Sequence, residues 1–261
     1  MTTGTVAGIE FISAGNGPAV ICLHGIGGDA SSFAHQMQAI PGHRVIAWNM
    51  PGYGGSEPLE SVTFEALSRK LAAFIDDLGL ERAHLLGQSI GGMIALEHGV
   101  RHPDQVASLT LVATTPRFGG RDDSFKEAFL KARLAPLDAG QSMAEMASAT
   151  APMLVGPNCS VAEIKRIETA LAAVPEATWR AILQCLVTFD RHDALETLNI
   201  PALVVAGSAD QNAPSRTMAR MADRLPHATF HELAGAGHML HQEMPKPFNA
   251  LVAHFLDGIT P

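Results

Sequence analysis

The chain has 261 residues and weighs 27.6 kDa, and its 47% hydrophobic against 17% charged content is a globular balance that excludes disordered, collagen-like and coiled-coil chains. Eighteen Lys and Arg against 26 Asp and Glu leave a net charge of −8, so no excess of cations is present to neutralise nucleic-acid phosphates or an anionic membrane. The first residues lack a secretory leader's basic and apolar regions, no run of about 18 apolar residues follows, and Cys22, Cys159 and Cys185 have no CxxC spacing; a soluble cytoplasmic protein without structural zinc is expected.

Residues 6–12 and 18–23 are β-branched runs joined by Gly15-Asn16-Gly17, a turn sequence that predicts an antiparallel hairpin. A helix is expected near 31–40. Residues 44–48, 84–86, 109–112 and 202–206 are nearly uninterrupted apolar runs, as parallel strands covered on both faces should be. Between them, residues 64–78 carry Phe64, Leu67, Leu71, Phe74, Ile75 and Leu78 at helical spacing, with Gly79 as the stop. Strand-then-helix repetition predicts an α/β fold with a doubly wound sheet. The rhythm breaks between 116 and 197, where 125–134, 142–153, 161–174 and 175–189 all read as helices. An all-helical insertion, 116–197, into a core made of 1–115 and 198–261 is the simplest organisation. It holds 9 of the 18 basic and 11 of the 26 acidic residues, which reads as a solvated lid surface.

Gly87-Gln88-Ser89-Ile90-Gly91 follows one apolar strand and opens a helix at 92–99. G-x-S-x-G in that setting is a nucleophile elbow, whose flanking glycines leave room for the adjoining strand and helix. A Ser hydroxyl at its free pKa is a poor nucleophile and needs a His base held by a carboxylate. Of the 12 histidines, His238 stands in a Gly-rich loop just past the strand 228–233 and ahead of a helix at 245–256, at the same sheet edge as Ser89. His241 is its nearest rival. Asp210 ends the apolar strand and turn 204–210, again at that edge, whereas Asp190 and Asp193 lie in the insertion and would hold an imidazole loosely. His24-Gly25-Ile26-Gly27-Gly28 closes another strand and supplies backbone N–H donors for an oxyanion, assigned to Ile26 together with Ile90. Neither G-x-G-x-x-G nor GK[ST] occurs, which argues against a dinucleotide or P-loop site.

Leu23-His24-Gly25, Met50-Pro51-Gly52-Tyr53-Gly54-Gly55-Ser56, Gly87 to Gly92, Gly207 to Asp210 and Gly237-His238 occur in an order that resembles the α/β-hydrolase superfamily with a helical cap, in the branch of 3-oxoadipate enol-lactonases and small bacterial esterases. The resemblance implies a mostly parallel eight-stranded sheet, a cap between strands six and seven, and a Ser89, Asp210, His238 triad needing no cofactor or metal. Ser at the elbow departs from the dehalogenases and epoxide hydrolases, which place Asp there. Carbon–carbon bond hydrolases of ring-cleavage products carry Trp after the catalytic His, where this chain has Met239, and a cap Arg, for which Arg180 beside Trp179 is available. The expected activity is hydrolysis of a small-molecule ester or lactone. Carbon–carbon hydrolysis and ligand binding with residual hydrolysis are the alternatives. His24, Gly25, Met153, Leu154, Trp179 and Met239 are the pocket candidates.

Overall fold

The apolar runs assemble into one sheet. In the computed structural model, which describes residues 1–119 and 123–259, eight strands form it. They are β1 (Thr2–Val6), β2 (Ile9–Ala14), β3 (Ala19–Leu23), β4 (Arg44–Trp48), β5 (Ala83–Gln88), β6 (Val106–Val112), β7 (Ala202–Gly207) and β8 (Ala228–Leu233). Their spatial order is β1-β2-β4-β3-β5-β6-β7-β8. The β1–β2 and β2–β4 pairs are antiparallel, and every pair from β4–β3 onward is parallel. Every residue of β3, β5 and β7 is buried, the expected state of strands with helices on both faces.

Alternation along the strands divides the core in two. Ile21, Ile46, Leu85, Leu109 and Val204 face α1 (Phe64–Asp77) and α2 (Ile90–Arg101), whose Leu67, Leu71, Phe74 and Ile94 are fully buried. Their sequence neighbours Val20, Val45, Leu86, Leu203 and Val205 face the opposite way, toward Phe33, Phe248 and Val252.

Two expectations are overturned here. Gly15-Asn16-Gly17 does not close a hairpin: β2 pairs with β1 and β4, and β3 pairs with β4 and β5. The tight turn falls instead at Ala7 and Gly8, both at positive φ (49° and 70°), which splits the run 6–12 between two strands. The helix near 31–40 is a 3-10 turn at Ala30–Phe33 followed by further turns. Asp29 accepts from the Ser31 amide and hydroxyl as an N-cap, and Asn49 Oδ1 takes the Ala30 N–H, but the bonds that follow are mostly three-residue turns, Ala34 N–H to Ser31 O, Gln36 N–H to Phe33 O and Ala39 N–H to Gln36 O.

Between β6 and β7 the described residues form only helices and turns, apart from one isolated bridge, Arg117 to Asp190. The helices are α3 (Asp123–Asp138), α4 (Met143–Thr150), α5 (Val161–Ala172) and α6 (Glu176–Leu186), with Ser142 and Ser160 capping α4 and α5. Residues 120–122 and 260–261 of the expected division lie outside the described residues. Where the chain leaves and re-enters the core, Phe118 N–H donates to Phe189 O (2.9 Å) and Arg191 N–H to Pro116 O (2.8 Å), beside an Arg117–Asp190 ion pair at 2.6 Å. Arg191 also reaches Glu97 of α2, a buried carboxylate that holds Arg101 as well. The remaining helices are α7 (Ser215–Ala222), α8 (Leu240–Glu243) and α9 (Pro245–Asp257). Among the described residues no helix is long and apolar enough to cross a membrane.

Candidate active site

Ser89 lies between the last residue of β5 and the first of α2, with φ +55° and ψ −121°, a backbone that a non-glycine residue adopts only under strain. Neighbouring bonds hold it there: Ser89 N–H donates to Val112 O (2.9 Å), and the Thr114 hydroxyl donates to Ser89 O (2.7 Å). The sharp turn brings main chains into contact. A Cβ at Gly91 would collide with the Leu23 carbonyl, and one at Gly87 with the backbone of Gly91 and Gly92, so the two glycines of the motif are required by space.

Asp210 and His238 meet at the ends of β7 and β8. His238 Nδ1–H donates to Asp210 Oδ2 at 2.8 Å, and since a carboxylate only accepts, that bond leaves Nε2 as the basic nitrogen. Asp210 Oδ1 accepts from the amides of Asn212 (2.7 Å) and Ala213 (3.1 Å). Burial works to raise its pKa, but the facing imidazole and these N–H donors outweigh it and hold the carboxyl below the usual range. His241 is a core side chain, fully buried against Phe33 and Phe248, and burial first, then the neighbouring His238 and His35, push its pKa down to about 3. Asp190 is occupied by Arg117 and Asp193 by His192.

The Gly25–Ile26 loop is fixed from below. Met50 N–H donates to His24 Nε2 (2.9 Å), so Nδ1 carries the proton and donates to Gly25 O (2.8 Å), while the Tyr53 hydroxyl donates to Ile26 O (2.8 Å). His24 therefore supports this loop from underneath and does not line the pocket, a correction to its expected place. Among the described residues the amides of Ile26 and Ile90 have no acceptor, and Ile90 is the first residue of α2, where the helix dipole favours negative charge.

These groups border a cavity of about 870 Å³ between the sheet edge and the helical segment. Ser89, His238, Gly25, Ile26, Leu154, Trp179 and Met239 all line it. Met153 does not: at 65% exposure it faces solvent, because the 3-10 turn of Ala151–Leu154 directs Leu154 inward instead. Arg180 is held by Glu176 and Asp138 and is absent from the lining. Phe118, Phe129 and Arg133 are wall residues that the sequence reading missed; Phe129 and Arg133, four apart on α3, carry the helical spacing that would have paired them. The thiols are no rival nucleophiles, since burial raises the pKa of Cys22, Cys159 (to about 11) and Cys185 (to about 12).

Two further side chains, the buried Gln88 and the half-buried Glu243, brace the His238 loop. Gln88, beside the strained Ser, donates to His238 O at 3.1 Å. Glu243 accepts from the amides of Gly156 (2.7 Å), Gly237 (3.0 Å) and Met239 (3.1 Å), joining the helical segment to both sides of His238, whose own N–H donates to Leu154 O (2.7 Å). Burial raises the Glu243 carboxyl above its usual range against the pull of those three donors. Glu243→Ala strands three amide donors, so it should destabilise the fold by on the order of 3 kcal/mol, read as a lower urea midpoint, with Glu243→Gln losing less.

Comparison with known proteins agrees with this architecture. The profile described as alpha/beta hydrolase fold matches residues 18–245. The chain belongs to the α/β hydrolase family. This α/β hydrolase is 33% identical over 273 residues to a putative carbamate hydrolase RutD of Caulobacter sp. (strain K31), with 99% of each chain covered. A RutD of Variovorax paradoxus (strain S110) is 30% identical, over 94% of each. Among solved structures, a thermophilic esterase from Thermogutta terrifontis with malate bound superposes at a TM-score of 0.88 and 24% identity over 100% of both chains. The enol-lactonase from Burkholderia xenovorans LB400 superposes at 0.87 and 23% identity, over 98% of this chain and 100% of that one.

Proposed function

We propose that this hydrolase cleaves a small carboxylic ester or lactone through an acyl-enzyme. Ser89 Oγ attacks the carbonyl carbon as its proton passes to His238 Nε2. The oxyanion is held by the Ile26 and Ile90 N–H groups, and the alcohol leaves with the proton from His238. Water, deprotonated by the same imidazole, then releases the acid. Asp210 orients the ring and stabilises its charged form. The observation that carries this reading is the 2.8 Å His238–Asp210 bond, whose polarity leaves Nε2 basic beside the cavity that Ser89 lines. In the same reading residues 116–197 act as the cap, the reaction draws on no cofactor or metal, and a reducing cytoplasm suits the free thiols of Cys22, Cys159 and Cys185.

The RutD likeness favours a second substrate class, carbamates, which the same nucleophile would attack at the same kind of carbonyl. A panel of 4-nitrophenyl esters, lactones, methyl carbamates and ring-cleavage dienoates, assayed with wild type and Ser89→Ala, tests both. Ester or lactone turnover should dominate and fall by about 10⁴-fold or more in Ser89→Ala, and a fluorophosphonate should label Ser89 alone. Turnover that persists in Ser89→Ala, or a label on another residue, overturns the mechanism; a carbamate preference replaces the substrate class.

A further inference from the structure

Among the described residues the cations of the helical segment are mostly matched. Arg117, Lys126, Lys165, Arg166, Arg180 and Arg191 each sit against a carboxylate. Lys131 is exposed and solvated. Arg133 differs from all of these. The positions three and four residues away on α3 are Leu130, Phe129, Pro136 and Leu137, so its helix offers no acid at pairing distance. Among the described residues no carboxylate contacts it from elsewhere. Its guanidinium carbon lies 5.3 Å from the Phe129 ring centre, and Phe129 packs edge-on against Phe118 at 4.8 Å. All three side chains line the same cavity as Ser89.

A guanidinium half-buried against aromatic rings gives up part of its hydration, which no carboxylate among the described residues returns, and burial accordingly lowers its pKa. The other cations on this cavity are differently placed. Arg117 and Arg224 are paired with Asp190 and Glu196, and Arg220 is exposed. A planar guanidinium fork set beside aromatic rings fits a single planar monoanion on an otherwise apolar chain; a phosphate dianion calls for several donors.

We propose that Arg133 is the binding residue for a substrate carboxylate, so that the ester or lactone turned over at Ser89 carries a free acid at the end remote from the scissile carbonyl. The assignment rests on the hydrolase reading above for the reaction, but the anion site itself is separable from it. Two arms test it. In the first, wild type, Arg133→Gln, Arg133→Lys and Arg220→Gln are assayed with mono-4-nitrophenyl glutarate and with the uncharged 4-nitrophenyl pentanoate. In the second, monomethyl and dimethyl glutarate are titrated calorimetrically into Ser89→Ala, with and without Arg133→Gln.

Arg133→Gln should raise KM for the glutarate roughly 10–100-fold, with kcat and the pentanoate reaction within about twofold, and Arg133→Lys should recover part of the loss. Monomethyl glutarate should bind more tightly than the dimethyl ester only while Arg133 is present. Equal losses on both esters, a loss in Arg220→Gln instead, or a wild type that hydrolyses the pentanoate without preferring the glutarate overturns the carboxylate site and leaves the hydrolase reading standing. If neither ester is hydrolysed while Arg133-dependent binding of monomethyl glutarate remains, the anion site stands and the ester chemistry falls.

Discussion

Replacing Asp210 with Asn should lower kcat by about 10⁴-fold while the fold survives, the size of loss seen when a triad carboxylate becomes an amide. The substituted side chain keeps the oxygen that accepts from the Asn212 and Ala213 amides, so the turn after β7 is retained. What changes is the group facing His238. An amide NH₂ there donates, which forces Nδ1 to accept and moves the ring proton to Nε2, the nitrogen that takes the Ser89 proton in the proposed mechanism. The positive imidazolium also loses its counter-charge. Turnover and the urea midpoint of the same preparation decide the matter. Activity within tenfold of wild type, with the large loss appearing in Asp190→Asn or Asp193→Asn, would move the acid into the helical segment.

Acid should unfold this protein steeply and early. His24, His84 and His98 are buried, and that burial lowers each pKa from the usual 6.5 to about 4, while His241 falls to about 3. Neighbouring charge deepens the shift at His84, beside His43 and Arg82, and at His98, beside His102; at His24 the Gly25 carbonyl and Asp29 oppose it. In the unfolded chain these rings take protons near pH 6.5, but in the fold they stay neutral until about pH 4, so the unfolded state binds more protons throughout that window. Their contribution is therefore complete above pH 6.5 and is lost as the pH falls toward 4. Each such ring contributes about 1.4 kcal/mol per pH unit, and four together roughly 5 kcal/mol per unit near pH 5, against a total stability on the order of 5–15 kcal/mol. The urea midpoint should collapse between pH 6.5 and 4.5, and His84→Asn should reduce the slope by about one proton. A midpoint that stays level from pH 7 to pH 5 would contradict the burial of these rings.

Short-range constraint explains which parts of this architecture were legible beforehand. Ser89 was readable because the elbow needs glycine at fixed offsets, and Gly87 and Gly91 do meet backbone where a Cβ would sit. Asp210 and His238 were readable because each lies in the loop that follows a strand, β7 and β8, and parallel strands bring such loops to one edge. Strand pairing was less accessible. Gly15-Asn16-Gly17 and Ala7-Gly8 are both competent turns, and the choice rests on β2 lying beside β4, with Phe11 opposite Trp48, far along the chain. Side-chain direction in the helical segment was hidden as well. Met153 and Leu154 are adjacent and equally apolar, yet one is solvent-facing and the other lines the cavity, a difference set by a 3-10 turn. Arg133 reads in the sequence as one more surface cation, and what distinguishes it is its place beside Phe129 on the cavity wall with no carboxylate among the described residues against it.

The two main-chain bonds that join Pro116 to Arg191 and Phe118 to Phe189 give the fold a seam. The helices between β6 and β7 depart and return through adjacent points, so the core perceives the excursion as a short loop whatever its content. Loop-closure entropy grows only with the logarithm of length, which makes the stretch between the seams exchangeable at small cost to the sheet and to the strained Ser89 turn. On the proposed function, selectivity and catalysis would then be written on separable pieces of chain. A chimera that carries another family member's helices between these seams should inherit that donor's substrate preference and keep the host's reactive serine.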